Sequence, residues 1–173
     1  AVDVEARPLL AVLCALARDA VVRASSDAIL QTRVGETLTA ATLAGAVGQH
    51  FPNSYSTATL AKIGRNTFSS WEQTGHLADA ERPAKVRTRP TCRPADVAYA
   101  VLLGHIQGVR GLALFDTLWT TILGQPHSHL LELAAAASQQ GMLELRRAGG
   151  VIDVGFRELL RPFDTTGDRG RLL

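Results

Sequence analysis

Residues 56–77 read STATLAKIGRNTFSSWEQTGHL, and the helical phase of this stretch decides how the rest of the chain is placed. Leu60, Ile63, Thr67, Phe68 and Trp71 recur at three- and four-residue spacing, which puts them on one face of a helix. Lys62, Arg65, Asn66, Ser69 and Gln73 fall on the other side, with Thr57 and Thr59 near the N-terminus. Ser56 is a good N-cap, and Gly75 suits a left-handed C-terminal cap. The expectation is a helix with its apolar face in the core, Trp71 buried, and its cationic, amide-bearing face in solvent.

On the C-terminal side, His76 and Leu77 begin a strand, the polar ADAERP turns the chain, and Lys85 to Arg89 returns. Strand alternation places Lys85, Arg87 and Arg89 on one face and Val86 and Thr88 on the other. On the N-terminal side, PNSY is a turn, and a helix capped by Thr39 runs through Gln49. Val34 to Leu38 reads as a short strand. Before it come a short helical stretch around Ser26 to Gln31 and a helix carrying Leu9, Leu10, Val12, Leu13, Leu16, Ala17, Ala20 and Val21, with Pro8 in its first turn. The order is helix, strand, helix, helix, hairpin.

Charge sharpens the picture. The net charge of the 173-residue chain is only +2. Between Lys62 and Arg93, however, seven basic residues (Lys62, Arg65, Arg82, Lys85, Arg87, Arg89, Arg93) meet three acidic ones (Glu72, Asp79, Glu81), a local charge of +4. Focused positive charge suits a polyanionic partner. Arginine and lysine bind phosphate or guanine, and asparagine and glutamine suit adenine or phosphate. A helix N-terminus adds partial positive charge toward a phosphate. A helix set after another by a short turn has helix-turn-helix geometry, and the second helix of such a pair enters the major groove. A basic hairpin beside it would follow neighbouring phosphates or reach into the minor groove. Duplex DNA is therefore the expected partner, contacted by Thr57, Thr59, Lys62, Arg65, Asn66, Ser69, Gln73, Lys85, Arg87 and Arg89. A solvated helix and a charge-protected edge strand would carry the same residue types.

Residues 34–89, with GHL leading into the hairpin, resemble the winged-helix group of DNA-binding domains. The stretch STATLAKIGRNTFSSWEQTGHL is also similar to a segment of the BrxA family of BREX bacteriophage-defence systems. That second likeness covers about 22 residues. It implies a DNA-binding accessory protein of a bacterial defence locus, with Lys62, Arg65, Asn66 and Ser69 as the contacting face.

The second half reads as helices over 95–107, 110–123 and 127–140, then a hairpin in MLELRRAGGVIDVGF around Ala148-Gly149-Gly150. Gln73-Thr74-Gly75-His76-Leu77 and Gln139-Gln140-Gly141-Met142-Leu143 both follow QxGxL, 66 residues apart, each where a third helix meets a hairpin. The fold expected is thus mainly α with short β-hairpins. It divides into a winged helix-turn-helix over 1–93 and, over 94–173, either a second winged helix in tandem or a helical module for dimerisation or partner binding. SHLLELAAAASQQ carries no basic residue, so it is not expected to read DNA.

Other chemistry finds little support. His127-x-His129 has no clear third ligand and sits after Pro126, at a helix start. Phe115, Trp119, Leu112, Leu118 and Ile122 read as an apolar core stripe, and Asp116 within it as a structural or solvated carboxylate. No phosphate loop, dinucleotide fingerprint, nucleophile elbow or paired carboxylates occur. No metal or cofactor is expected, and the chain is read as non-enzymatic. Cys14, in an apolar run, and Cys92 make no disulfide framework, which suits a reducing cytoplasm. Asp3 and Glu5 stand where a signal peptide would be positive, and no apolar run reaches the roughly 18 residues of a bilayer span. The expected location is the bacterial cytoplasm, with duplex DNA and proteins of a defence system as partners, no membrane, and a homodimer compatible. The rival reading is a protein–protein adaptor whose winged helices are structural.

Overall fold

The computed structural model describes residues 4–81 and 83–160. A 3-10 turn (Val4–Ala6) leads into α1 (Arg7–Arg18), α2 (Ala20–Gln31), β1 (Thr37–Leu38), α3 (Ala40–His50), α4 (Thr57–Gln73), β2 (Leu77–Asp79) and β3 (Lys85–Arg87). The second half follows as α5 (Pro94–Ile106), a 3-10 segment (Gly111–Asp116), α6 (Leu118–Thr121), α7 (His127–Gln139), β4 (Glu144–Ala148), β5 (Val151–Gly155) and α8 (Arg157–Leu160). The protein is mainly helical with two small antiparallel sheets, one three-stranded in the order β1-β3-β2 and one the β4–β5 hairpin.

Two helices stand where one was expected over Leu9 to Val21. The break falls at Asp19, whose extended backbone (φ −116°, ψ 110°) leaves the helix and whose carboxylate accepts the backbone N–H of Val21 and Val22. Asp19 is the N-cap of α2, so the short helix expected around Ser26 is the end of a twelve-residue one. The helix expected over 110–123 is also divided. Gly111 adopts φ +62°, and Thr117, extended at ψ 162°, accepts the Thr120 N–H and restarts the chain as α6. The apolar stripe nonetheless faces inward: Phe115, Trp119 and Ile122 are buried, while Leu112 is half-exposed and Asp116 is on the surface. Cys14, although set in an apolar run, faces outward. It is exposed, and its thiol lies 3.3 Å from the Tyr99 hydroxyl.

A single apolar core runs across both halves, joining Leu13, Leu16, Ile29, Leu43 and Trp71 to Val97, Val101, Leu114, Trp119, Ile122 and Leu130. Polar links cross the same boundary, since Gln125 Nε2 donates to Pro90 O at 2.8 Å. None of the helices among the described residues is long and apolar enough to cross a membrane.

The QxGxL pair is one capping solution used twice. The N–H of His76 bonds Trp71 O and that of Gly75 bonds Glu72 O, and the N–H groups of Met142 and Gly141 repeat this with Ala137 O and Ser138 O. Both glycines have φ near +75°, where a side chain would be strained. The same bond set closes α5 at Gly108, where no hairpin follows. The five-residue match therefore coincides with a shared way of ending a helix.

Candidate nucleic-acid interface

The 17-residue helix α4 starts where Ser56 Oγ accepts the Thr59 N–H at 3.2 Å. Its core face lies as the spacing predicts: Trp71 is fully buried and its indole N–H donates to Ser25 Oγ at 3.0 Å. Helix α3 presses on it at Gly64, where an added Cβ would sit 2.3 Å from Ala40 O and 2.9 Å from Ala44 Cβ. Only glycine permits this approach. The pressure of α3 on one side leaves the opposite side of α4 to solvent. There Thr59, Lys62, Arg65, Asn66, Ser69 and Gln73 are all exposed, and Thr57, two turns before Gly64 on nearly the same stripe, is exposed at the start of the helix. Thr59 is partly engaged, its hydroxyl 2.9 Å from Ser56 Oγ. Among the described residues, Lys62 and Arg65 form no ion pair. Gln73 also borders a groove of about 460 Å³ beside α1, with Arg7, Pro8, Ala11 and Ser70.

The hairpin departs from the expectation. Alternation put Lys85 and Arg87 on one face, and they do share it, but that face turns inward. Arg87 is only 4% exposed. Its guanidinium donates to Ile29 O at 3.2 Å, to His76 O at 3.3 Å and to Thr88 O, so it ties the end of α2 to the start of β2. Burial lowers its pKa. Arg87 is thus corrected from a phosphate contact to a buried strut, because its guanidinium, a fixed fork of donors, reaches backbone carbonyls of Ile29, His76 and Thr88 that folding brings together. Lys85 is also spoken for. Its ammonium bonds Glu72 on the last turn of α4 and Asp79 Oδ1 at 2.9 Å, its register partner on β2. Those two hydrogen bonds, Glu72 first, raise its pKa. Arg89, beyond the end of β3, is exposed. Arg82 lies outside the described residues.

Beneath this surface lies a buried histidine. His76 is fully buried, its ring edge-on to Trp71 with centroids 4.9 Å apart. Nε2 lies 2.7 Å from Ile122 O and Nδ1 lies 2.7 Å from the Thr74 hydroxyl. A carbonyl can only accept, so Nε2 carries the proton; the Thr74 hydroxyl beside Nδ1 has one proton and also lies 2.9 Å from Trp71 O. Burial, helped by the Arg87 charge, brings its pKa down from 6.5 to about 4, against the bond to Ile122 O. The imidazole is neutral and joins the hairpin of the first half to α6 and the turn after it.

Sequence reasoning missed Glu72, Asp79 and His76 as determinants of this surface. The signal for Glu72 was present, since it stands seven residues from Arg65 on nearly the same helical stripe. In the second half, α7 exposes Ser128, His129, Glu132 and Gln139. His129 Nδ1 lies 3.1 Å from Glu132, and no group of three metal-ligating side chains occurs among the described residues. Compared with protein-family models, curated proteins and solved structures, the chain finds no match.

Proposed function

We propose that this chain is a non-enzymatic duplex DNA-binding protein whose first half is a winged helix-turn-helix with α4 as recognition helix, serving as an accessory or regulatory component of a bacterial phage-defence system. The observation that carries the reading is the outward face of α4. Lys62, Arg65, Asn66, Ser69 and Gln73 stand exposed on one helix, which follows α3 after a short turn and leads into the β1-β3-β2 sheet. That order of helices and strands supports the winged-helix assignment, and the DNA and defence assignments rest further on the resemblances of residues 34–89 and 56–77. Lys62, Arg65 and Arg89 supply the phosphate contacts, and Asn66 and Gln73 suit base edges or phosphate.

A second reading is favoured by the hairpin itself. With Arg87 buried and Lys85 paired, the cationic cluster offers fewer cations than its local charge suggests, which suits an adaptor binding a larger defence protein through the same faces. Fluorescence anisotropy with a duplex at two salt concentrations separates the two. DNA binding predicts affinity that falls steeply with salt, roughly −0.9 in the log–log slope per phosphate neutralised. Binding that is absent at low salt, or indifferent to salt, selects the adaptor.

A further inference from the structure

Glu72 stands seven residues after Arg65, two turns along nearly the same stripe of α4 and about 10 Å away. It is therefore a carboxylate on the flank of the surface that would face a polyanion, and its side chain is 41% exposed. Asp79, on β2, is almost entirely exposed, at 96%. Left uncompensated, both would act on a phosphate backbone across about one Debye length at ordinary salt. Among the described residues, a lysine lies between them. Lys85, with only 17% of its side chain exposed, reaches Glu72 and Asp79 together, and so joins the last turn of α4 to both strands of the hairpin.

We infer that Lys85 is a positioning and charge-masking residue for the α4 surface: it touches no phosphate, but holds the hairpin against α4 and cancels the two carboxylates that would repel the duplex. This rests on the DNA-binding reading of α4. It also explains why a hairpin bearing exposed acids can flank a basic helix. The contribution of Lys85 to binding acts through Glu72 and Asp79 and vanishes when they are neutral.

The test is a charge cycle in the full chain, read by anisotropy on one duplex at about 50 mM and about 200 mM salt. Lys85→Met keeps the stem and removes the charge. It is expected to weaken binding roughly five- to tenfold at the lower salt. Adding Glu72→Gln and Asp79→Asn to Lys85→Met should restore affinity to within about twofold of the parent, with the salt slope unchanged. Glu72→Gln with Asp79→Asn alone, both surface changes, should bind as well as the parent or tighter. The inference is overturned if Lys85→Met binds like the parent. It is equally overturned if its loss persists in the triple variant with a slope shallower by about one unit, the mark of a direct phosphate contact, or if the double variant binds more weakly. A parent protein that binds no duplex at low salt overturns the DNA-binding reading itself, and this inference with it.

Discussion

Helices α4 and α7 occupy the same place in their halves, each the last long helix before a hairpin and each ended by the same cap, yet they present opposite chemistry. Shifted by 66 residues, Lys62 becomes Ser128, Asn66 becomes Glu132 and Ser69 becomes Ala135, while Gln73 keeps a glutamine at Gln139. Inside, the fully buried Trp71 is matched by the equally buried Ala137. The hairpins invert as well. The first buries Arg87 and neutralises Lys85, whereas the second leaves Arg146 and Arg147 exposed at its rim, with Arg146 3.8 Å from Glu144. A shared element order therefore fixes where surfaces lie without fixing what they bind. The bulk on the inner side of α4 comes from its own indole, whereas on α7 that position is a methyl.

The largest expected effect tests this difference in anchoring. Trp71→Ala removes a fully buried indole and its bond to Ser25, and should cost about 3–5 kcal/mol in a urea titration. Ala137→Gly, its counterpart, should cost only about 1 kcal/mol, chiefly through helix propensity. Equal costs would mean that the two helices are held alike.

Next comes acid. His76 follows the cap glycine in the first half, where the second half has Met142. Its folded pKa of about 4 lies below the ordinary 6.5, so the unfolded chain binds the proton more readily. The stability this contributes is fully present above pH 6.5, is lost as pH falls through the window down to about 4, and changes no further below it. The whole loss is about 3 kcal/mol. Urea midpoints at pH 7, 5.5 and 4.5 should fall accordingly. In His76→Gln that portion of the pH dependence should be missing; a parallel decline in both proteins would assign it to other groups.

The smallest effect concerns the outward faces. Arg65→Ala should weaken binding to a preferred duplex by about 1–3 kcal/mol. Glu132→Ala on α7 should leave it within about 0.5 kcal/mol. Anisotropy with both variants on several unrelated duplexes measures this. Similar losses from the two would show that the halves bind together, and an Arg65→Ala loss that is the same on every duplex would confine α4 to phosphate contacts.

Several features of this fold were legible in the sequence because they are local. The 3.6-residue phase set the buried side of α4, and glycine at Gly75 and Gly141 set where helices stop. The Ala148-Gly149-Gly150 signal set the second hairpin. Asp19 was legible too, as an N-cap type in the middle of an apolar run, but the continuous hydrophobic pattern on either side hid it. The extent of the helix over 110–123 was not legible, since apolar spacing is equally satisfied by a 3-10 segment and a short helix that share one buried side.

By itself, then, the sequence determined the caps at Ser56, Gly75 and Gly141, the two hairpins and the inward side of α4, all governed by neighbours within a turn or two. Period-two alternation could also say that Lys85 and Arg87 share a face. Only the tertiary structure decided which way that face turns. Arg87 went inward to carbonyls of Ile29 and His76, and Lys85 to the acids of α4 and β2, because backbone oxygens and carboxylates distant in sequence were brought within hydrogen-bond reach. A cation's fate depends on the partners around it, and those partners assemble only when the chain folds.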